Sequence, residues 1–328
     1  LEVRQHPVTA NLPRGCPPEV LLQIAVGASL TIEPPAYPIV VGRYGFADAG
    51  DSLNQGRGAC MGNLVHDRGE SVGDVVLVAA EQVGRGRVLV FGDTSPFQNG
   101  ALFLSQRLVS NAIGWLAQRS RPVPSGYGDE LALVDFSLAP EARLTLFDKA
   151  SLGGLANCLA RAGVEAVPAF SQAAWRSPAK YLFLVNPTRF GHDDAGRLEV
   201  YMREGGNVIL AQGFAAAPPC EPLLARFGLA VEDVPLGAGE PGGRVRHKDA
   251  WAISCSDTSD AVVRASAFGY PTVVTERVGQ GSLTLVSDGG FFLDENLESE
   301  ERAEPRNLAF VNDLILALRG SSQAASER

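Results

Sequence analysis

The feature that most constrains how this chain can fold is an internal match. Residues 79–93 read AAEQVGRGRVLVFGD, and residues 274–288 read VTERVGQGSLTLVSD. Glu81, Val83, Gly84, Gly86 and Asp93 recur as Glu276, Val278, Gly279, Gly281 and Asp288. In each stretch an apolar strand enters a G-x-G turn, and a second apolar strand leaves it and stops at the aspartate. That pattern predicts a β-hairpin whose first glycine takes the positive φ of a tight turn. A loop carrying Phe97 or Phe292 follows, then a helix. The first helix, QRLVSNAIGWLAQ, offers Leu108, Ile113, Trp115 and Leu116 as its apolar stripe; the second, RNLAFVNDLILAL, offers Leu308, Val311, Leu314 and Ile315.

The chain has 328 residues, beyond the roughly 250–300 at which one hydrophobic core stops growing. Two units are therefore expected. Residues 119–130, RSRPVPSGYGDE, are rich in Pro, Gly and Ser and form the expected linker. Downstream, LALVDFS (131–137), AKYLFLVNP (179–187) and NVILAQG (207–213) read as strands, with helices at 151–163 and 193–206 between them. This order predicts a doubly wound α/β domain over 131–320, with a parallel sheet, antiparallel additions at its C-terminal end and a tail at 321–328. Residues 1–118 hold the hairpin and its helix without the preceding strand and helix run, so they are expected to form a partial second copy, the rear half of the same unit. A half-sheet presents a raw edge, which is expected to be covered.

Composition narrows the function classes. With 28 Lys and Arg against 37 Asp and Glu, the net charge is −9, which disfavours nucleic acid as a partner. No apolar run reaches the roughly 18 residues needed to cross a bilayer. Five cysteines lie far apart with no C-x-x-C pair, and four histidines show no ligand spacing, so no metal is expected. Each G-x-G lies between strands instead of opening a helix and lacks a third glycine; it fails the dinucleotide test, and no cofactor is expected. The first residue is Leu1, not Met, so the chain reads as excised from a longer protein, leaving compartment and oligomeric state open.

GGNVILAQG, VGRGRVLVFGDTSPFQN, VGQGSLTLVSDGGFF and the helices that follow, with Asn111 or Asn312, resemble the class I glutamine-amidotransferase-like superfamily. Within it they are most similar to the GIFT-type domain of gliding-motility and intraflagellar-transport-like proteins. HPVTANLP at 6–13 resembles the segment that opens the second half of such domains. The resemblance implies a flavodoxin-like three-layer sandwich and a non-catalytic module of a bacterial envelope- or transport-associated protein, extracytoplasmic and membrane-associated, that binds a partner protein or a carbohydrate.

A glutaminase of that superfamily needs a cysteine on the elbow after a strand and a histidine base beyond a later one. At the elbow stands Gly213; at the base positions stand Asp93, Thr94, Ser95 and Asp288, Gly289, Gly290. The alternative enzyme reading is a Cys-dependent hydrolase using Cys60, in G-A-C-M-G, with His66, although the preceding DSLNQGRG reads as a loop and not as a strand. The remaining candidates are ligand-binding: Asp93, Thr94, Ser95, Asn99 and Asp288 lie outside strand ends, where open α/β sheets hold ligands. The competing expectation is that each aspartate accepts hydrogen bonds from its own turn. His192, Asp193 and Asp194 are expected to start and cap a helix, and the acidic run 294–304 to form a solvated loop.

Overall fold

The computed structural model describes residues 1–10, 12, 22, 28–50, 53, 62–98, 102–118, 130–139, 149–176, 178–216, 218–257, 259–299 and 301–326. The chain forms a mixed α/β structure of two compact units, Leu1–Gly126 and Tyr127–Arg328.

The first unit is a four-stranded antiparallel sheet in the order β1 (Glu2–Val3), β2 (Tyr37–Phe46), β3 (Val72–Val83), β4 (Gly86–Phe91). Helix α1 (Leu102–Leu116) joins the cluster of Val8, Ile39, Val40, Val78 and Ala80 through Leu108 and Ala112. Asn111, buried on the same stripe, donates from Nδ2 to the carbonyls of Val8 (3.2 Å) and Ala10 (2.8 Å), fastening the N-terminal segment to the helix. The expected apolar stripe needs correction: Ile113 is 63% exposed and Leu116 is exposed too. Ile113 follows Leu108 by five residues, which turns it about 140° round the helix, whereas Asn111, Ala112 and Trp115 keep the three-four spacing of one face.

The second unit is built on a seven-stranded sheet of order β11-β12-β13-β8-β7-β5-β6. Here β5 is Glu130–Asp135, β6 Val164–Ala169, β7 Tyr181–Val185, β8 Asn207–Ala211, β11 Val262–Ala267, β12 Tyr270–Val278 and β13 Gly281–Val286. Strands β6, β5, β7, β8 and β13 are parallel, and β12 and β11 add antiparallel beyond β13. Strand β6 escapes the sequence reading because VEAVPA holds a glutamate and a proline; it is an edge strand, where a missing N–H is tolerated. Helices α2 (Gly153–Arg161), α3 (His192–Arg203), α4 (Glu221–Arg226) and α5 (Pro305–Ser326) complete the unit, α5 continuing into the stretch expected to be a tail. A separate two-stranded ladder pairs β9 (Leu229–Gly237) with β10 (Ala250–Cys255).

Alternation along the parallel strands sends side chains to two faces. Leu133, Leu182, Val208 and Leu283 stand in one register row and pack with Ala195, Leu198 and Met202 of α3 and Leu223 and Leu224 of α4. Phe183 points the other way, 5.4 Å from the ring of Phe292; Phe292 in turn meets Phe291, which meets Phe310 of α5. The acidic run 294–304 is not a solvated loop. Asp294 and Glu304 are buried, Gly154 N donates to Asp294 Oδ1 (2.6 Å), Arg161 pairs with Glu298 through both guanidinium nitrogens, and Arg246, Arg302 and Arg306 all face Glu304.

The two matched hairpins share one register. Glu81 opposes Val88 and Val83 opposes Gly86, as Glu276 opposes Leu283 and Val278 opposes Gly281. Gly84 and Gly279 take φ of +58° and +62°.

Candidate functional site

Open parallel sheets present loops at the carboxyl ends of their strands, and the polar groups of the second unit collect there. Asp135 ends β5, Asn186 follows β7, Gln212 and Gly213 follow β8, and Asp288 follows β13. The aspartates make one kind of turn. Asp93 Oδ1 accepts from Ser95 N (2.9 Å) and Ser95 Oγ (2.8 Å); Asp135 Oδ1 accepts from Ser137 N (2.9 Å) and Leu138 N (3.0 Å); Asp288 Oδ1 accepts from Gly290 N (2.9 Å). Burial pushes the Asp135 carboxyl above the usual range, against the opposing hydrogen bond from Trp175 Nε1 at 2.6 Å. Asp93 keeps Oδ2 buried with no hydrogen-bond partner among the described residues.

Beneath Asp288 lies a polar chain that the sequence did not announce. Its Oδ2 accepts from Lys248 N (2.7 Å) and stands 3.5 Å from His247 Nδ1, while His247 Nε2 stands 3.0 Å from Thr272 Oγ1. Carboxylate, imidazole and hydroxyl follow in the order of a catalytic relay. Yet Thr272 and Asp288 are fully buried and His247 is 2% exposed, so no substrate carbonyl can reach the hydroxyl. The Lys248–Asp288 and His247–Thr272 hydrogen bonds tie the loop before β10 to the end of the sheet, while His247 Nδ1 has no hydrogen-bond partner among the described residues.

At the surface above it, four hydrogen-bonding groups converge on two glycines. A Cβ on Gly289 would stand 2.9 Å from Asn186 Oδ1 and 3.4 Å from Gly213 N; one on Gly213 would stand 3.5 Å from Trp251 Nε1 and 3.9 Å from Gly289 N. Gly213 N–H, Gly289 N–H, the Trp251 indole N–H and the Asn186 amide have no hydrogen-bond partner among the described residues. Asn186 takes φ +46°, a left-handed conformation that asparagine tolerates better than most residues. Trp251 stacks on Phe214 (5.2 Å, 30° between planes), and exposed Phe170 stacks on Phe136 at the tips of β6 and β5 (5.6 Å, 24°). Sequence reasoning passed over Asn186 and Trp251; the one available signal was Asn-Pro directly after an apolar strand.

In the first unit, Thr94 precedes a single 3-10 turn, Ser95–Phe97, without a side-chain capping bond, and Asn99 lies outside the described residues. Cys60 also lies outside them; His66 is exposed, its Nε2 3.3 Å from the carbonyl of Glu70 and its ring edge-on to Phe46. Burial pushes the thiols of Cys158 and Cys220 up to about 11 and about 12, and raises that of Cys255, so none of these three is primed as a nucleophile. Asp194 Oδ2 accepts from Gly191 N (2.9 Å) at the start of α3. No group of three metal-ligating side chains occurs among the described residues, and no described helix is long and apolar enough to cross a membrane. A charged surface basin of about 1520 Å³ runs along α3, from Gln172 and Asp193 at one end to Lys180 and Gly206 at the other.

A family model described as a domain of unknown function, DUF4350, matches residues 152–311. No curated protein matches the sequence. Among solved structures, an exo-beta-1,4-mannosidase, Op5Man5 from Opitutaceae bacterium strain TAV5, is similar at 14% identity and TM-score 0.41, over 66% of this chain and 40% of that one. The cytoplasmic protein STM1381 from Salmonella typhimurium LT2 is similar at 14% identity and TM-score 0.38, over 58% of this chain and 99% of its own. A beta-galactosidase from the haloarchaeon Halorubrum lacusprofundi is similar at 19% identity and TM-score 0.37, over 65% and 34%. The chain thus spans less than half the length of either enzyme.

Proposed function

We propose that this chain is a non-catalytic binding module on a class I glutamine-amidotransferase-like scaffold of the GIFT type, within a bacterial envelope- or transport-associated protein. We further propose that it holds a carbohydrate at the tips of β7, β8 and β13, and that its two hairpin-and-helix endings are copies of one unit. The strand order β6-β5-β7-β8-β13 is the 2-1-3-4-5 order of a flavodoxin-like sandwich, which supports the scaffold.

The observation that carries the function is the cluster of polar groups around Gly213 and Gly289. On the proposed scaffold Gly213 takes the place of the nucleophile, and around it donors without partners among the described residues meet an indole stacked on a phenyl ring. Amide and indole donors beside an aromatic face suit a sugar, whose hydroxyls accept hydrogen bonds while its C–H faces lie on the ring. No primed nucleophile stands there among the described residues: the nearby buried Cys220 donates a hydrogen bond to Gln212 Oε1 (3.0 Å), and burial pushes its thiol up to about 12.

A glycan array followed by titration calorimetry tests this. A hit bound by the wild-type chain is expected to be lost in Trp251→Ala and in Asn186→Ala, and kept in Asp93→Ala. Retention by the first two variants, or conversion of the glycan to product, would overturn the proposal; hits on a peptide array alone would replace carbohydrate with a protein partner.

A further inference from the structure

In the second unit the hairpin's outer strand is central. Ser282 N donates to Gly206 O and Gln212 N donates to Val286 O, so alternate residues of β13, Ser282, Thr284 and Val286, turn their peptide groups outward to β8. The neighbours on the strand, Leu283 and Leu285, are fully buried in the cluster that holds α3. The matched positions of the first unit are Arg87, Leu89 and Phe91 for the outward peptide groups, and Val88 and Val90 for the covered side chains. Among the described residues β4 pairs only with β3, and Val88 and Val90 are 46% and 44% exposed.

The glycines carry the same message. A Cβ on Gly281 would overlap Gly206 O at 1.9 Å and Met202 O at 2.6 Å, and one on Gly279 would meet Arg203 Cα at 2.8 Å; both are bare because the end of α3 and the start of β8 run against the turn. Gly84 and Gly86 hold the matched places, yet a Cβ on Gly84 meets nothing within 4 Å and one on Gly86 only its own turn's Val83 carbonyl at 3.4 Å. Gly84 is required by its own φ of +58°, so it is Gly86 that keeps a matched opening with no neighbour among the described residues.

We infer that the open edge of β4 is a docking surface for a partner protein, which adds a parallel aliphatic strand to Arg87–Phe91 and lays the preceding amphipathic helix over Val88 and Val90. The edge N–H and C=O groups supply register, as in β-strand addition, and the helix supplies apolar burial. The occupant is argued from α3 and β8, the helix and strand that sit on the matched hairpin of this same chain. Its residues belong to the first unit and are none of those proposed to hold the carbohydrate.

The test uses the full chain and a labelled synthetic peptide with the sequence of residues 192–211, the chain's own helix and strand. Saturable binding by fluorescence anisotropy is expected, with a photo-crosslinker at position 90 capturing the peptide. Val88→Asp with Val90→Asp is expected to weaken binding at least about tenfold while leaving the circular dichroism unchanged; the wild-type crosslink keeps the test valid if that variant does not fold. The inference is overturned by equal binding of a scrambled peptide, by crosslinks confined to other regions, or by no binding. It is also overturned if sedimentation shows the chain alone pairing with a second copy through position 90.

Discussion

The hairpin β3–β4 and the hairpin β12–β13 have the same turn, the same register and the same terminal aspartate, yet one is the margin of a sheet and the other its middle. Local sequence sets the turn and the pairing; what lies beside the second strand sets how much burial that strand gains. Leu285, between β12 and β8 and under α3, is fully buried, while its counterpart Val90 is half exposed. The aspartates diverge in the same way. Asp288 accepts hydrogen bonds from Lys248 N and Gly290 N and faces His247, whereas among the described residues Asp93 bonds only within its own turn.

The contrast can be broken most sharply in the core. Leu285→Ala is expected to cost about 2–5 kcal/mol by urea denaturation, and Val90→Ala under about 0.5 kcal/mol. Comparable losses at both positions would mean that β4 is covered in solution. Next in size, Gly281→Ala should cost about 1–3 kcal/mol, because a backbone carbonyl and not a flexible side chain occupies the space, while Gly86→Ala should stay within about 0.5 kcal/mol. A smaller effect belongs to the polar chain: Thr272→Val leaves His247 Nε2 unbonded and should cost about 1 kcal/mol, with Asp93→Asn near neutral.

The smallest expected effect is in acid. Burial works to raise the Glu130 carboxyl, but hydrogen bonds from Lys180 (2.6 Å) and Arg319 outweigh it and hold the group below its ordinary value of 4.5. The folded state therefore binds this proton less readily than the unfolded chain. The stabilisation is fully present above pH 4.5 and is lost as pH falls through the lowered folded value. Arg319, in the last turns of α5, is thereby tied to β5. Denaturation midpoints measured across acid pH should show this slope in the wild type and lose it in Glu130→Gln. In the first unit the closing helix is held by Arg87 Nη1, which donates to Trp115 O (2.6 Å).

Much of this was legible in the residues. Apolar runs marked β5, β7 and β8, paired glycines marked both hairpins, and acids followed by Gly205 and Gly206 bounded α3. The misses have physical causes. Strand β6 hides behind Pro168, which only an edge position tolerates. Ile113 looks like core until the helix is rotated onto Leu108, and the acidic run 294–304 looks solvated until Arg161, Arg246, Arg302 and Arg306 arrive from distant parts of the chain. The polar cluster at the strand tips was the least legible part, since Asn186, Gly213, Trp251 and Gly289 come from four separate segments and share no spacing.

What the sequence determined by itself is local: where strands and helices begin, that a positive φ falls at Gly84 and Gly279, and that each aspartate closes its own turn. Those outcomes depend on torsions and hydrogen bonds between residues a few positions apart. Only the tertiary structure decided that one hairpin is buried and the other bare, that His247 stands between Asp288 and Thr272, and that unpaired donors meet at the strand tips. Burial and convergence depend on which distant segments share space, a property of the packed chain that no short stretch encodes.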